Sequence, residues 1–136
     1  LGKQMLDIVL RVYGEEFDVS LFLSHYSDLN VSDSFKKGEH DMVGNPSDFS
    51  GFDVIVAEDQ TKEVCLQKIK QFLESHQQAL SFLKVNTINC VLDIDATVKA
   101  ADEMPTSLNL SPGLLGDLHR LNIAIEYSAY PYIDGV

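Results

Sequence analysis

Hydrophobic side chains recur at every second position near the start of the chain. Leu6, Ile8, Leu10 and Val12 fall on one face and Asp7 and Arg11 on the other. A period of two marks a strand with one buried face. Gly14-Glu15-Glu16 turns the chain. Asp18 is placed to cap a helix whose apolar residues Val19, Leu21, Phe22, Leu23, Tyr26 and Leu29 recur near the helical period. Val31 to Lys37 predicts a short edge strand, its lysines discouraging mispairing. Gly38 to Ser50, with Gly38, Gly44, Asn45-Pro46 and little apolar matter, reads as a loop long enough to be functional.

The pattern then sharpens. Phe52, Val54 and Val56 alternate with Asp53, Ile55 and Ala57, predicting a more deeply buried strand. Thr61 offers a cap to a long helix reaching about Lys84, with Val64, Cys65, Ile69, Phe72, Leu73, Leu80 and Leu83 along one stripe. From Thr87 to Val98, Ile88, Cys90, Leu92, Ile94, Ala96 and Val98 point one way. The other face shows Asn89, Val91, Asp93, Asp95 and Thr97. Aspartate and asparagine are poor strand formers, so this strand is expected to have a solvated sheet face. Lys99 to Asn109 leaves room for a short extra strand. Ser111-Pro112 opens a helix with Leu114, Leu115, Leu118 and Leu121 on its apolar face, and Asn122 suits a left-handed stop. Ile123, Ile125, Tyr127 and Ala129 alternate as a last strand, ended by Pro131.

Strand, helix, strand, strand, helix, strand is the order of a split βαβ core. The expected class is therefore α+β: a ferredoxin-like, mostly antiparallel sheet with helices on one face and an extra C-terminal helix and strand. No linker, repeat or low-complexity stretch divides residues 1–136, which read as a single domain.

Composition changes this picture in two ways. Ten Lys and Arg stand against 21 Asp and Glu, a formal net charge of −11. Phosphate affinity depends on clustered cations, and the longest basic run, Lys36-Lys37, is followed by Glu39 and Asp41. Nucleic acids and anionic membranes are therefore not expected partners. A basic protein is, because such a field accelerates its approach. Cys65 and Cys90 both lie in apolar patterns and read as buried free thiols, which fits a reducing, cytoplasmic setting. No apolar run approaches the roughly 18–20 residues that span a membrane, and no signal-like pattern opens the chain.

Motifs of catalysis are weak. No G-x-S-x-G elbow occurs, and Gly113 to Gly116 lacks the lysine of a phosphate cradle. His25, His40, His76 and His119 have no zinc-ligand spacing, and His76 reads as a core histidine. His40-Asp41 is the one neighbouring acid/base pair. Asp93 and Asp95, at i and i+2, share a strand face with side chains roughly 6–7 Å apart, a spacing open to a cation or an acid/base pair and equally to a plain solvated face. Tyr127 and Tyr130 fall on opposite faces, so one is expected on the open sheet, where tyrosine often anchors interfaces.

The run from Tyr13-Gly14 through Lys36-Lys37-Gly38 and the long helix to Leu121-Asn122-Ile123-Ala124-Ile125-Glu126-Tyr127 resembles a family of small bacterial domains of unknown function. That resemblance implies a ferredoxin-like fold and supplies no catalytic residues. By size, acidity and reduced cysteines the chain also resembles, in type, the immunity proteins of bacterial toxin systems.

The sequence thus points to a non-enzymatic protein-binding module without a cofactor or metal. Its most concrete form is an immunity protein that occludes a cationic, nuclease-type toxin domain. The expected partner-binding residues are Asp93, Asp95, Glu126, Asp7 and Tyr130. The alternative is a homodimeric domain that binds a small ligand or has a regulatory role.

Overall fold

The computed structural model describes residues 5–40, 47–99 and 107–132. Its elements follow one another as β1 (Met5–Gly14), α1 (Val19–His25), β2 (Val31–Phe35), β3 (Ser50–Thr61), α2 (Lys62–Ser75), α3 (Gln77–Val85), β4 (Asn89–Lys99), α4 (Pro112–Arg120) and β5 (Ile123–Tyr132). Together they make an α+β domain with a mixed five-stranded sheet in the order β2-β3-β1-β4-β5. The β2/β3, β3/β1 and β1/β4 pairs are antiparallel, and β5 lies parallel to β4. β2 is the short edge strand expected from Val31, but it ends at Phe35, before Lys36 and Lys37. The extra strand expected between Lys99 and Asn109 falls largely on residues 100–106, outside the described residues, as do 41–46 of the expected loop.

Alternation decides which face of the sheet is buried. Leu6, Ile8, Leu10 and Val12 of β1 and Cys90, Leu92, Ile94 and Ala96 of β4 are all buried, with Leu10 directly opposite Leu92. Each helix adds residues to the same cluster: Phe22 from α1, Cys65, Ile69 and Leu73 from α2, Leu80 and Leu83 from α3, Leu114 and Leu118 from α4. Phe72, expected in this contact, is only half-buried. In β3 the alternation slips. Ala57 faces Ile8 while Ile55 faces Val9, so β3 spends an extra residue, and Ala57 turns to the core. Such a bulge locally bends and twists the strand.

The helix boundaries follow side-chain capping chemistry. The Asp18 carboxylate accepts from the Leu21 amide at 3.1 Å, the Thr61 hydroxyl from Val64 at 3.4 Å, and the Ser111 hydroxyl from Leu114 at 3.2 Å. Asn122 takes the left-handed conformation with φ of 56° and ends α4. Two expectations do not survive. The long helix is interrupted at His76, within the polar run Ser75-His76-Gln77-Gln78, without a proline or glycine. The bend carries the helical run from β1 and β3, which α2 covers, to β4, which α3 covers. His76 itself is largely buried against Phe72, with its Nδ1 3.8 Å from Asp28. Pro131 does not end β5, which continues through Tyr132. As an edge strand, β5 tolerates a residue that cannot donate outward.

One close approach requires glycine. At Gly51 an added Cβ would collide with the Val12 carbonyl oxygen and come within 2.8 Å of the Phe35 ring. Phe35 is paired with Gly51 across β2 and β3, so its ring occupies the space that a side chain would take. No helix among the described residues is long and apolar enough to cross a membrane.

The core makes two testable statements. Leu92→Ala should destabilise the protein by about 2–5 kcal/mol in chemical denaturation, as deletion of a fully packed leucine does. A loss below about 0.5 kcal/mol would contradict this packing. The thiols should be inert while the fold holds. Burial pushes Cys90 up to about 12, and burial followed by the nearby Asp7 charge raises Cys65. The reactive thiolate is thus scarce at neutral pH. A disulfide-exchange reagent should label both cysteines slowly in the native protein and rapidly in denaturant.

Candidate functional site

The sheet face turned away from the helices collects the polar positions of every strand. Across its middle, Asp33 of β2 lies opposite Asp53 of β3, and Asp53 opposite Arg11 of β1. In the adjoining row Ile55, Val9, Asp93 and Glu126 stand side by side. Beyond it Asp7 faces Asp95, and Thr97 faces Tyr130. Among the described residues, six carboxylates therefore share this face with one guanidinium, that of Arg11. An aromatic group closes the other end. Tyr13 and Phe49 meet edge to face with ring centres 5.2 Å apart, near Phe35 over Gly51.

All five residues expected from the sequence as partner-binding lie here, but their environments differ. Glu126 is exposed beside Asp93, and Tyr130 is 55% exposed. Tyr127, also exposed, belongs to the opposite face. Asp7 has a structural duty. Its Oδ1 accepts the Asp59 amide at 2.8 Å, where Asp59 adopts φ of 51° and the β1/β3 register shifts. Asp93 corrects the expectation of a solvated pair, because it is only 5% exposed. Arg11 compensates it, with Nη2 3.0 Å from Asp93 Oδ2. Period-two spacing identifies the face a residue occupies but not how its neighbours cover it, and Val9, Val91 and the Arg11 stem adjoin Asp93. Neutralising Asp93 is therefore not a clean surface change, since it leaves Arg11 without its partner.

Asp95 is half-buried, and its Oδ1, like Asp93 Oδ1, is shielded from water and has no hydrogen-bond partner among the described residues. Burial foremost, then the charge and closeness of the Asp93 carboxyl, raise Asp95 above the ordinary carboxylate range, against the pull of Arg11. Asp53 is raised too. Burial is the largest cause, and Asp33 and Asp93 add to it while Arg11 opposes. Arg11, Asp33 and Asp53 were not among the residues singled out by sequence. Asp53 and Arg11 lie on the polar phase of their strands, but their meeting depends on β1 and β3 being neighbours.

The described face gathers carboxylates around the Arg11 guanidinium, with the hydroxyls of Thr97 and Tyr130 at one end, an arrangement suited to cations. Among the described residues no group of three or more histidine, cysteine, aspartate or glutamate side chains is arranged to hold a metal ion. His40 is exposed, and Asp41 lies outside the described residues.

A second feature lies on the helical side. A cleft of about 560 Å³ runs between α1 and the end of α3, walled by Phe17, Leu21, Phe22, Tyr26, Phe82 and Ile88, with Glu16, Asp18 and His25 beside it. Leu21 and Phe82 are 57% and 43% exposed. Both lie on helices whose apolar stripes looked like ordinary core, so the sequence carried no signal separating them from it.

The raised Asp53 sets a pH test. A folded state that holds a proton more tightly than the unfolded chain is favoured below the unfolded value and loses that advantage as pH rises through the folded one. Asp53→Asn should therefore stabilise the protein slightly at pH 7, by less than about 1 kcal/mol because the group is only half-buried. The gain should vanish below the ordinary value of 3.8, as measured by urea unfolding across pH.

No protein-family model, no curated protein and no solved structure matches this chain.

Proposed function

We propose that this chain is a non-enzymatic, cytoplasmic protein-binding module that meets a basic partner through its open sheet face. The observation that carries this reading is the gathering of six carboxylates around Arg11 on one uncovered side of the sheet. Its most concrete form is an immunity protein: the carboxylates stand in for phosphates and occlude the cationic site of a nuclease-type toxin. Exposed Tyr130 and Ile55 supply the apolar anchors that such an interface needs at its centre. The architecture fits a ferredoxin-like core. β2-β3-β1-β4 is the order of two split βαβ units, to which α4 and β5 add a parallel strand. Helices covering one side of that core leave the other free for a partner.

A second reading, a homodimeric or small-ligand-binding domain, draws support from the aromatic cleft between α1 and α3, whose volume is that of a small-molecule site.

The first reading is tested on kinetics with a purified basic partner, such as the nuclease domain of a toxin encoded beside this protein. Association should slow by tenfold or more between low and physiological salt, since exposed charges act mainly on the on-rate. Asp33→Asn with Glu126→Gln, both exposed positions, should slow it further and leave the unfolding midpoint unchanged. An association rate indifferent to both salt and this pair would sink the electrostatic reading.

A further inference from the structure

We propose that Asp93 and Asp95 hold one proton between them, so that the centre of the open face is a proton-binding site whose occupancy sets the charge offered to a partner. The proton site stands on geometry alone; its consequence for a partner deepens, and rests on, the reading given above.

Asp93 Oδ1 and Asp95 Oδ1 are both shielded from solvent, and neither has a hydrogen-bond partner among the described residues. Asp93 is almost fully buried, and its second oxygen is engaged by Arg11. A buried carboxylate oxygen without a donor is costly, and folded proteins rarely leave one. Ser128 faces Asp95 from β5 and Thr97 follows it on β4, but neither hydroxyl is bonded to the two orphan oxygens. Asp7 faces Asp95 from β1 but is itself an acceptor, already bound to the Asp59 amide. Glu126 faces Asp93 from β5, and Asp53 of β3 lies across Arg11. Val9 and Val91 contribute only methyl groups.

One proton removes the conflict. Taken up from solvent on Asp95, it turns an acceptor into an O–H donor toward Asp93 Oδ1, and both orphan oxygens are satisfied at once. Arg11 beside Asp93 favours the charge remaining there. The i, i+2 spacing puts both side chains on one face of β4, and Asp95 is raised by burial and by Asp93, in keeping with this placement.

The charge consequence follows directly. With the proton in place, Asp93, Asp95 and Arg11 sum to zero, and without it they carry one negative charge. A cation arriving from a partner favours the deprotonated Asp95, so complex formation expels the proton and tightens as pH rises through the titration of Asp95.

The isolated protein suffices for the test. Carboxyl ¹³C resonances of wild type, Asp95→Asn and Asp93→Asn are followed against pH. In the wild type the Asp95 carboxyl should titrate above the ordinary aspartate range, and the Asp93 resonance should report that same step. Asp95→Asn should abolish the step seen at Asp93, while Asp93→Asn should shift the Asp95 transition downward. Two independent single steps within the ordinary range in the wild type would overturn the proposal, as would persistence of the raised step in Asp95→Asn. Should Asp93→Asn fail to fold, the wild type and Asp95→Asn still decide. No partner enters the measurement, so its failure leaves the partner reading standing, and failure of the partner kinetics leaves the shared proton standing.

Discussion

Everything in this fold depends on β1 being paired along both edges. β3 binds one side and β4 the other, so no backbone group in the middle of β1 faces water, and its side chains have only the two sheet faces to choose between. The apolar phase, from Leu6 to Val12, must meet the helices. The polar phase, Asp7 and Arg11, is thereby forced onto the open face, against the polar phases of β3 and β4. The acidic face is the complement of the core rather than a separate feature, and a one-residue slip of β1 would destroy both.

How far the sequence reveals this can be followed strand by strand. β1 and β4 are legible because a period of two survives over their whole length, and the caps at Asp18, Thr61 and Ser111 are legible because a short side-chain oxygen before an apolar helix has few other uses. The phase of Asp93 and Asp95, and the position of Glu126 beside them, were legible for the same reason. What could not be read were relations between distant segments. The Arg11–Asp93 pair requires β1 to lie beside β4, the Asp33–Asp53 pairing requires the β2/β3 register, and the burial of Asp93 depends on neighbours from two strands. The bulge that turns Ala57 inward left only a faint trace, since Val56 and Ala57 are both apolar. The bend at His76 was foreshadowed by four polar residues but not by a helix breaker.

The two sides of the molecule manage charge differently. On the helical side, the polar end of Lys84 donates to the Arg120 carbonyl, tying α3 to the end of α4 through a group that would otherwise lack a partner. On the open side the carboxylates outnumber their donors. A surface arranged only for stability would place lysine or arginine among them. Retaining aspartate at positions 33, 53, 93 and 95, where strand propensity already disfavours it, keeps electrostatic potential unspent within the folded chain.

The double pairing of β1 also sets what closing the sheet costs. Leu6 lies opposite Ala96 and Tyr13 opposite Asn89, so β1 meets this neighbour only across a long stretch of chain. The β4/β5 pair, by contrast, joins strands nearer in sequence, with α4 between them, since Cys90 lies opposite Ile123. Loop closure favours the near pairing over the far one. Of the four pairings in the sheet, β1 with β4 closes the longest stretch of chain, so it carries the largest entropic cost and leans most on the core behind it.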